Sequence, residues 1–146
     1  MPRSSILNKE FRFVVHQHKA YKAGLHYDLR LETIKNGKHI LWSFACRKGI
    51  PLKPGEKHLM IMQHDHNIKW LDYEGKYDGD ESGGYGAGYL KIWDKGTYKI
   101  IKRTKNSMTL EFHGKKLKGI YALIAIDNKN SWIILKARKS YSMDNI

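Results

Sequence analysis

The 146-residue chain has one cysteine, Cys46, and three prolines. A single thiol excludes an internal disulfide and every paired-cysteine zinc or redox motif. No apolar run approaches the roughly 20 residues of a membrane-spanning helix, and the opening Met1-Pro2-Arg3-Ser4-Ser5-Ile6 lacks an apolar signal core. These absences lead us to expect a soluble, cytoplasmic protein with no membrane partner. Acidic residues are also scarce: 14 Asp and Glu stand against 27 Lys and Arg, a formal charge of +13. A hydrophobic share of 41% and an aromatic share of 12% still supply a core, so the charge does not imply disorder. The length suits one domain, expected over 1–146, with 1–10 a flexible arm and 140–146 a flexible tail. Size alone favours a monomer.

The charge is unevenly placed. Residues 1–64 hold twelve basic and four acidic side chains, 65–94 hold three and seven, and 95–146 hold twelve and three. A basic domain of this kind suits a polyanion, because Lys and Arg release counterions from phosphates. A solubilising cationic surface without a partner is the plainer alternative.

Helical periodicity is nearly absent and alternation is widespread. Strands are predicted over 11–17, 25–33, 38–45, 59–63, 90–93, 97–102, 108–113, 119–126 and 131–136, with Gly, Asn and Asp between them. The expected fold is all-β and mainly antiparallel, a compact barrel with a polar groove and little helix. So many strands in so short a chain leave few residues to cover open edges. The glycine-rich segment 77–88 reads as a surface loop. Its Gly84-x-Gly86-x-Gly88 spacing lacks the strand–turn–helix setting of a dinucleotide fingerprint.

Leu25-His26-Tyr27-Asp28-Leu29-Arg30-Leu31-Glu32 carries the most chemical information. In a strand, successive side chains point to opposite faces. Leu25, Tyr27, Leu29 and Leu31 are therefore assigned to the core, and His26, Asp28, Arg30 and Glu32 to the other face. His26 and Asp28 can converge on a hard or borderline cation. Arg30 can hold a phosphate oxygen with its planar fork, and Glu32 can orient Arg30 or a metal ligand. His16 and His18 share a face of the preceding strand, and the short link 19–24 permits a hairpin that sets His18 beside His26. Spacing does not choose between His16 and His18. Two imidazoles and one carboxylate leave positions for water and substrate on Mn²⁺, Fe²⁺ or Zn²⁺. The alternative is a solvated face of ordinary ion pairs.

In His64-Asp65-His66, alternation puts both histidines on one side. They are candidates for proton donation or phosphoryl stabilisation, or else part of a polar turn at the barrel edge. Cys46, next to Arg47 and Lys48, has a basic setting that would lower a thiol pKa, but no general base identifies a nucleophile. Trp42, Trp70, Trp93 and Trp132 are assigned to the core or its rim.

Phe13-Val14-Val15-x-x-His18 followed by 25–32 resembles the opening of the DNA 3′-phosphoesterase domain, found at the N-terminus of bacterial DNA ligase D and in stand-alone members. The resemblance continues through Ser43-Phe44-Ala45, Lys48-Gly49, Asp65-His66, Asp72-Tyr73-Glu74-Gly75, Gly84–Gly88, Ile92–Thr97, Leu110–Gly119 and Trp132-x-x-x-Lys136. It covers most of the chain. It implies a stand-alone end-healing enzyme, a compact barrel with a catalytic groove on one side, and we expect the cation site at the mouth of that barrel. With Mn²⁺, or another divalent ion such as Co²⁺ or Zn²⁺, such an enzyme removes a 3′-phosphate from DNA and resects a 3′-terminal ribonucleotide. It further implies His18, His26 and Asp28 as metal ligands, and Arg30 and His66 on the scissile phosphate. Lys48 would lie near that phosphate, and Glu32 would support the site. His58 stands where an arginine clamp is expected, Trp70 where ligase-linked members have a functional tyrosine, and 19–24 is about two residues longer. Primer–template 3′ ends would be the substrate, with a separate ligase, polymerase or end-binding protein acting alongside. The rivals are a non-catalytic basic barrel that binds nucleic acid, and a two-histidine, one-carboxylate oxygenase.

Overall fold

A computed structural model describes residues 6–79 and 86–138. Nine strands follow one another: β1 (Phe11–Ala20), β2 (Gly24–Lys35), β3 (Lys38–Cys46), β4 (Lys57–Asn67), β5 (Gly75–Tyr77), β6 (Gly88–Arg103), β7 (Ser107–His113), β8 (Lys118–Ala125) and β9 (Ser131–Lys136). They pair antiparallel in the order β1-β2-β3-β4-β9-β8-β7-β6, and β6 returns to β1 to close an eight-stranded barrel. β5 lies along one end of β6. Closure leaves those eight strands without a free edge. A 3-10 turn, Ile68–Asp72, follows β4, and no α-helix occurs among the described residues. No helix there is long and apolar enough to cross a membrane.

Alternation decides what each wall residue does. Phe13, Val15, Leu29, Leu31, Phe44, Met60, Tyr98, Leu110, Phe112, Tyr121 and Ile134 fill the interior, each fully buried. Burying each such side chain contributes about 1.5–3 kcal/mol against exposure. Of the intervening residues of β1–β3, which point outward, Val14, His16, Asp28, Arg30, Leu41 and Ser43 are buried too. Val14 and Leu41 form a second apolar cluster with Leu71 of the 3-10 turn, flanked by Trp70 and Ile92. The turn thus roofs one stretch of outer wall and creates a second water-poor zone.

Some expectations need correcting. Predicted strands 90–93 and 97–102 are one continuous β6, because Asp94, Lys95 and Gly96 stay in the ladder opposite Val15, Val14 and Phe13. Gly96 can pass there because a Cβ at its position would collide with the His113 carbonyl oxygen. The short β5 was not anticipated. Leu25 is 50% exposed, since the β1–β2 hairpin extends beyond the core. His64-Asp65-His66 continues β4 and is not a turn. Of the arm expected over 1–10, Ile6 is buried in the core, Leu7 bridges Ile100, and the Asn8 N–H donates to the Ile100 carbonyl at 2.8 Å. Residues 1–5, the tail 140–146 and residues 80–85 of the glycine-rich segment lie outside the described residues.

Candidate active site

The polar cluster sits on the outer wall of β1 and β2, under the roofing turn, and not at the barrel mouth. Parity fixes this placement: Val15, Leu29 and Leu31 face inward, so His16, His18, His26, Asp28 and Arg30 face the opposite way. The three-residue link between Ala20 and Gly24 closes a hairpin in which His18 pairs directly with His26, and the extra length is absorbed there. Their rings lie 4.5 Å apart between centroids.

Asp28 is the centre of the cluster. Its Oδ2 accepts from His18 Nδ1 at 2.7 Å and from Arg30 Nη2 at 3.2 Å. Its Oδ1 is buried and accepts no hydrogen bond, and His26 Nε2 stands 3.2 Å away as an ion-pair neighbour. Burial alone would raise the carboxyl. The Arg30 charge and the two imidazoles outweigh it and hold Asp28 well below the usual carboxylate range.

His18 faces an oxygen through each nitrogen, Asp28 Oδ2 and, at 2.6 Å, the Gly86 carbonyl. A neutral imidazole carries one N–H and can satisfy only one of them. Ligand atoms of His18, His26 and Asp28 all lie within 4.8 Å of one another. A buried carboxylate oxygen that accepts no hydrogen bond, with two imidazoles alongside, forms a donor set that fits a divalent transition metal. The Tyr77 ring stands edge-on to His18 at 5.5 Å, and Trp70 stands edge-on to Tyr77 at 5.0 Å.

Arg30, 1% exposed, is held at three points. Nε donates to His16 Nδ1 at 3.0 Å, Nη1 to Ser43 Oγ at 3.1 Å, and Nη2 to Asp28. A guanidinium has five N–H groups, so one remains on each terminal nitrogen. His16 accepts from Arg30 and donates from Nε2 to the Tyr73 carbonyl at 2.8 Å. Burial, then the Arg30 charge, push His16 down to about 4, so the ring is neutral at pH 7.

His66 reaches the same face through a β-bulge. Gln63 pairs with Ser43 and His66 with Leu41, so His64 and Asp65 together oppose Trp42. Without the extra residue, His66 would point inward. Its Nδ1 donates to the His64 carbonyl at 3.0 Å, and the two rings stack 4.7 Å apart. Burial, then the Arg30 charge, lower His66 to about 4.

Other sequence-chosen residues lie further out. Glu32 accepts from the Arg12 backbone and guanidinium and from His39, and no described bond joins it to Arg30 or to the His/Asp trio. Lys48 and His58 line a cavity of about 580 Å³, one wall of which is His26. His58 Nδ1 donates to the Gly49 carbonyl at 2.6 Å, leaving Nε2 as its free-facing nitrogen, 3.8 Å from Glu56. Cys46 has no lowered pKa: burial pushes the thiol up to about 11, and its S–H donates to the Gly49 carbonyl. The basic neighbours Arg47 and Lys48 sit in an exposed turn, while the thiol is buried.

A family model described as the DNA Ligase D 3′-phosphoesterase domain matches residues 16–125. The chain belongs to that family. It is 36% identical over 133 residues to the multifunctional non-homologous end joining protein LigD of Mycolicibacterium smegmatis, covering 84% of this chain and 16% of the relative. It is 36% identical to the Mycobacterium bovis LigD over 143 residues, covering 92% and 18%. To the Pseudomonas aeruginosa LigD it is 32% identical over 135 residues, covering 87% and 15%. The chain thus spans under a fifth of the length of these relatives.

Within this family, the residues that sequence reasoning passed over are mostly supports. His16, which spacing does not separate from His18 and the resemblance leaves without a role, is the partner of Arg30. Ser43, a small polar residue between Trp42 and Phe44, was a visible signal for an outward contact. The Gly86 and Tyr73 carbonyls had none, since a backbone oxygen leaves no mark in composition.

Proposed function

We propose that this protein is a divalent-metal-dependent phosphoesterase acting on DNA 3′ ends in repair. It removes a 3′-phosphate and resects a 3′-terminal ribonucleotide, leaving an end for a ligase or polymerase. The observation that carries this reading is Asp28, buried between two imidazoles and a guanidinium with one oxygen that accepts no hydrogen bond, in a chain of this family.

His18, His26 and Asp28 would hold the metal, with Mn²⁺ the first choice and Co²⁺ or Zn²⁺ alternatives. Such an ion supplies positive charge beside the phosphoryl oxygens and polarises a water. Arg30, pinned by His16, Ser43 and Asp28, offers its two remaining N–H groups as a preorganised fork for phosphate. His66, with Nδ1–H committed to His64, turns only Nε2 to a substrate. That nitrogen is unprotonated at neutral pH, so it accepts a proton from water or from a phosphate oxygen. Lys48 adds charge at the cavity edge, and His58 contributes through Nε2. Glu32 supports the site at a distance by fixing Arg12 and His39 beside β2.

The test is incubation with a 3′-phosphorylated primer–template, with Mn²⁺ or with EDTA. Phosphate release with Mn²⁺, abolished by EDTA and by Asp28→Ala in a folded variant, is expected. Wild-type turnover by Asp28→Ala would overturn the mechanism. Salt-sensitive DNA binding without product would favour a purely binding barrel.

A further inference from the structure

The cavity beside His26 extends past Lys48 and His58 over residues that have no part in the chemistry above, and its lining is unusual for a barrel wall. Outward-facing Leu59 and Ile61 on β4 are 52% and 42% exposed. Arg47, Lys48 and Lys57 stand around this aliphatic floor, and no carboxylate occurs among the described residues lining it. Ala45 pairs with Ile61 across β3–β4, so the floor runs without a step toward Gln63, opposite Ser43, the residue that holds Arg30. From Lys57 to Gln63 is about 20 Å of strand. The volume, about 580 Å³, falls within the range of ligand-binding clefts.

We propose that this groove seats the DNA strand on the 5′ side of the reacting phosphate, with Arg47 and Lys57 on its backbone phosphates and Leu59 and Ile61 against its sugars. The proposal rests on the DNA-end reading above and specifies how the strand lies. A 3′ terminus has phosphates on one side only. Cations placed beyond the reacting centre therefore have charges to meet only along the strand behind it. Exposed aliphatic side chains among cations match the alternation of deoxyribose and phosphate, and they offer no hydrogen-bond readout of base edges. The groove therefore binds without sequence preference and adds affinity with each nucleotide it covers.

The experiment measures binding by fluorescence anisotropy in EDTA, where hydrolysis is absent, using 3′-phosphorylated oligonucleotides of one to eight residues. Wild-type affinity should climb over the first few nucleotides and then level off. Arg47→Ala/Lys57→Ala should weaken binding of the longer oligonucleotides tenfold or more and lower the salt slope by about two. The same variant should bind a nucleoside 3′-phosphate as wild type does. Leu59→Asn/Ile61→Asn should weaken the longer oligonucleotides several-fold with the salt slope unchanged. Lys118→Ala/Lys129→Ala, which removes equal charge elsewhere, should have no such length-dependent effect. Groove variants that bind every length like wild type, or a control that weakens them equally, would overturn the groove. Intact length dependence with no phosphate release in Mn²⁺ would leave the groove standing and sink the catalytic reading instead.

Discussion

Arg30 Nε donates to His16 Nδ1 at 3.0 Å, and this bond fixes the state of both residues. It requires His16 Nδ1 to be bare, which places the ring hydrogen on Nε2, where the Tyr73 carbonyl accepts it. In return, the guanidinium is held in one plane with two N–H groups unspent. The main chain at Tyr73, just past the roofing turn, is thereby tied to the residue proposed to grip phosphate.

His16→Leu should keep the fold but leave Arg30 Nε and the Tyr73 carbonyl without a partner, costing about 1–3 kcal/mol. Turnover of 3′-phosphorylated DNA should fall tenfold or more. His16→Gln, which can accept and donate at similar positions, should recover much of it. Steady-state rates alongside thermal melts check this. Full activity in the leucine variant would remove His16 from any positioning role.

The His18–His26–Asp28 trio should bind a metal without DNA present. Titrating Mn²⁺ into the protein should raise the melting temperature, equivalent to about 2.7 kcal/mol at a hundredfold excess over Kd. Asp28→Asn, which keeps the shape but loses the charge, should show a much smaller rise in differential scanning fluorimetry. Equal shifts in both proteins would mean that Mn²⁺ binds elsewhere.

Much of the cluster was legible because β2 alternates cleanly. Histidine, aspartate and arginine at every second position had to share a face, and that face is where they lie. That this face lies opposite the core was legible as well, but not that it is itself buried, since Leu71 and its neighbours reach it from a distant part of the chain. Alternation also failed at His66, whose orientation depends on a bulge with no sequence signature in His64-Asp65-His66. Glu32 obeys the alternation yet serves Arg12 and His39, because a partner 20 residues away is invisible to a local pattern. The Asp94 region was recognisable by resemblance, and its reason is structural. The Asp94 carboxylate accepts from the backbone N–H groups of Lys115, Lys116 and Leu117, tying β6 to the turn after β7.

Glu32 should make stability depend on pH in a defined window. Hydrogen bonds from Arg12, opposed by burial and aided by His39, lower it from 4.5 to about 2. The unfolded chain then takes up the proton first, so this contribution is complete above about pH 4.5 and drains away as pH falls toward 2. Glu32→Gln should be less stable than wild type at pH 7 by about 2 kcal/mol, a figure reduced for the half-exposed Arg12 partner. Urea titrations at several pH values should show the two proteins converging near pH 2. A constant gap would contradict the ion pair.

Cys46 should resist alkylation in the native state. Its thiol is fully buried with a pKa near 11, so little thiolate forms at pH 8. Iodoacetamide should label the protein only when denaturant opens the barrel, as read by mass spectrometry. Rapid labelling of folded protein would show that the end of β3 opens locally.

One sheet of backbone separates the hydrocarbon filling of this barrel from the groups proposed to handle phosphate. Positions 27, 29 and 31 hold the vessel together, while 26, 28 and 30 are inscribed on its outside. A designer could therefore exchange the outer lettering for another set of ligands and leave the contents of the vessel as they are.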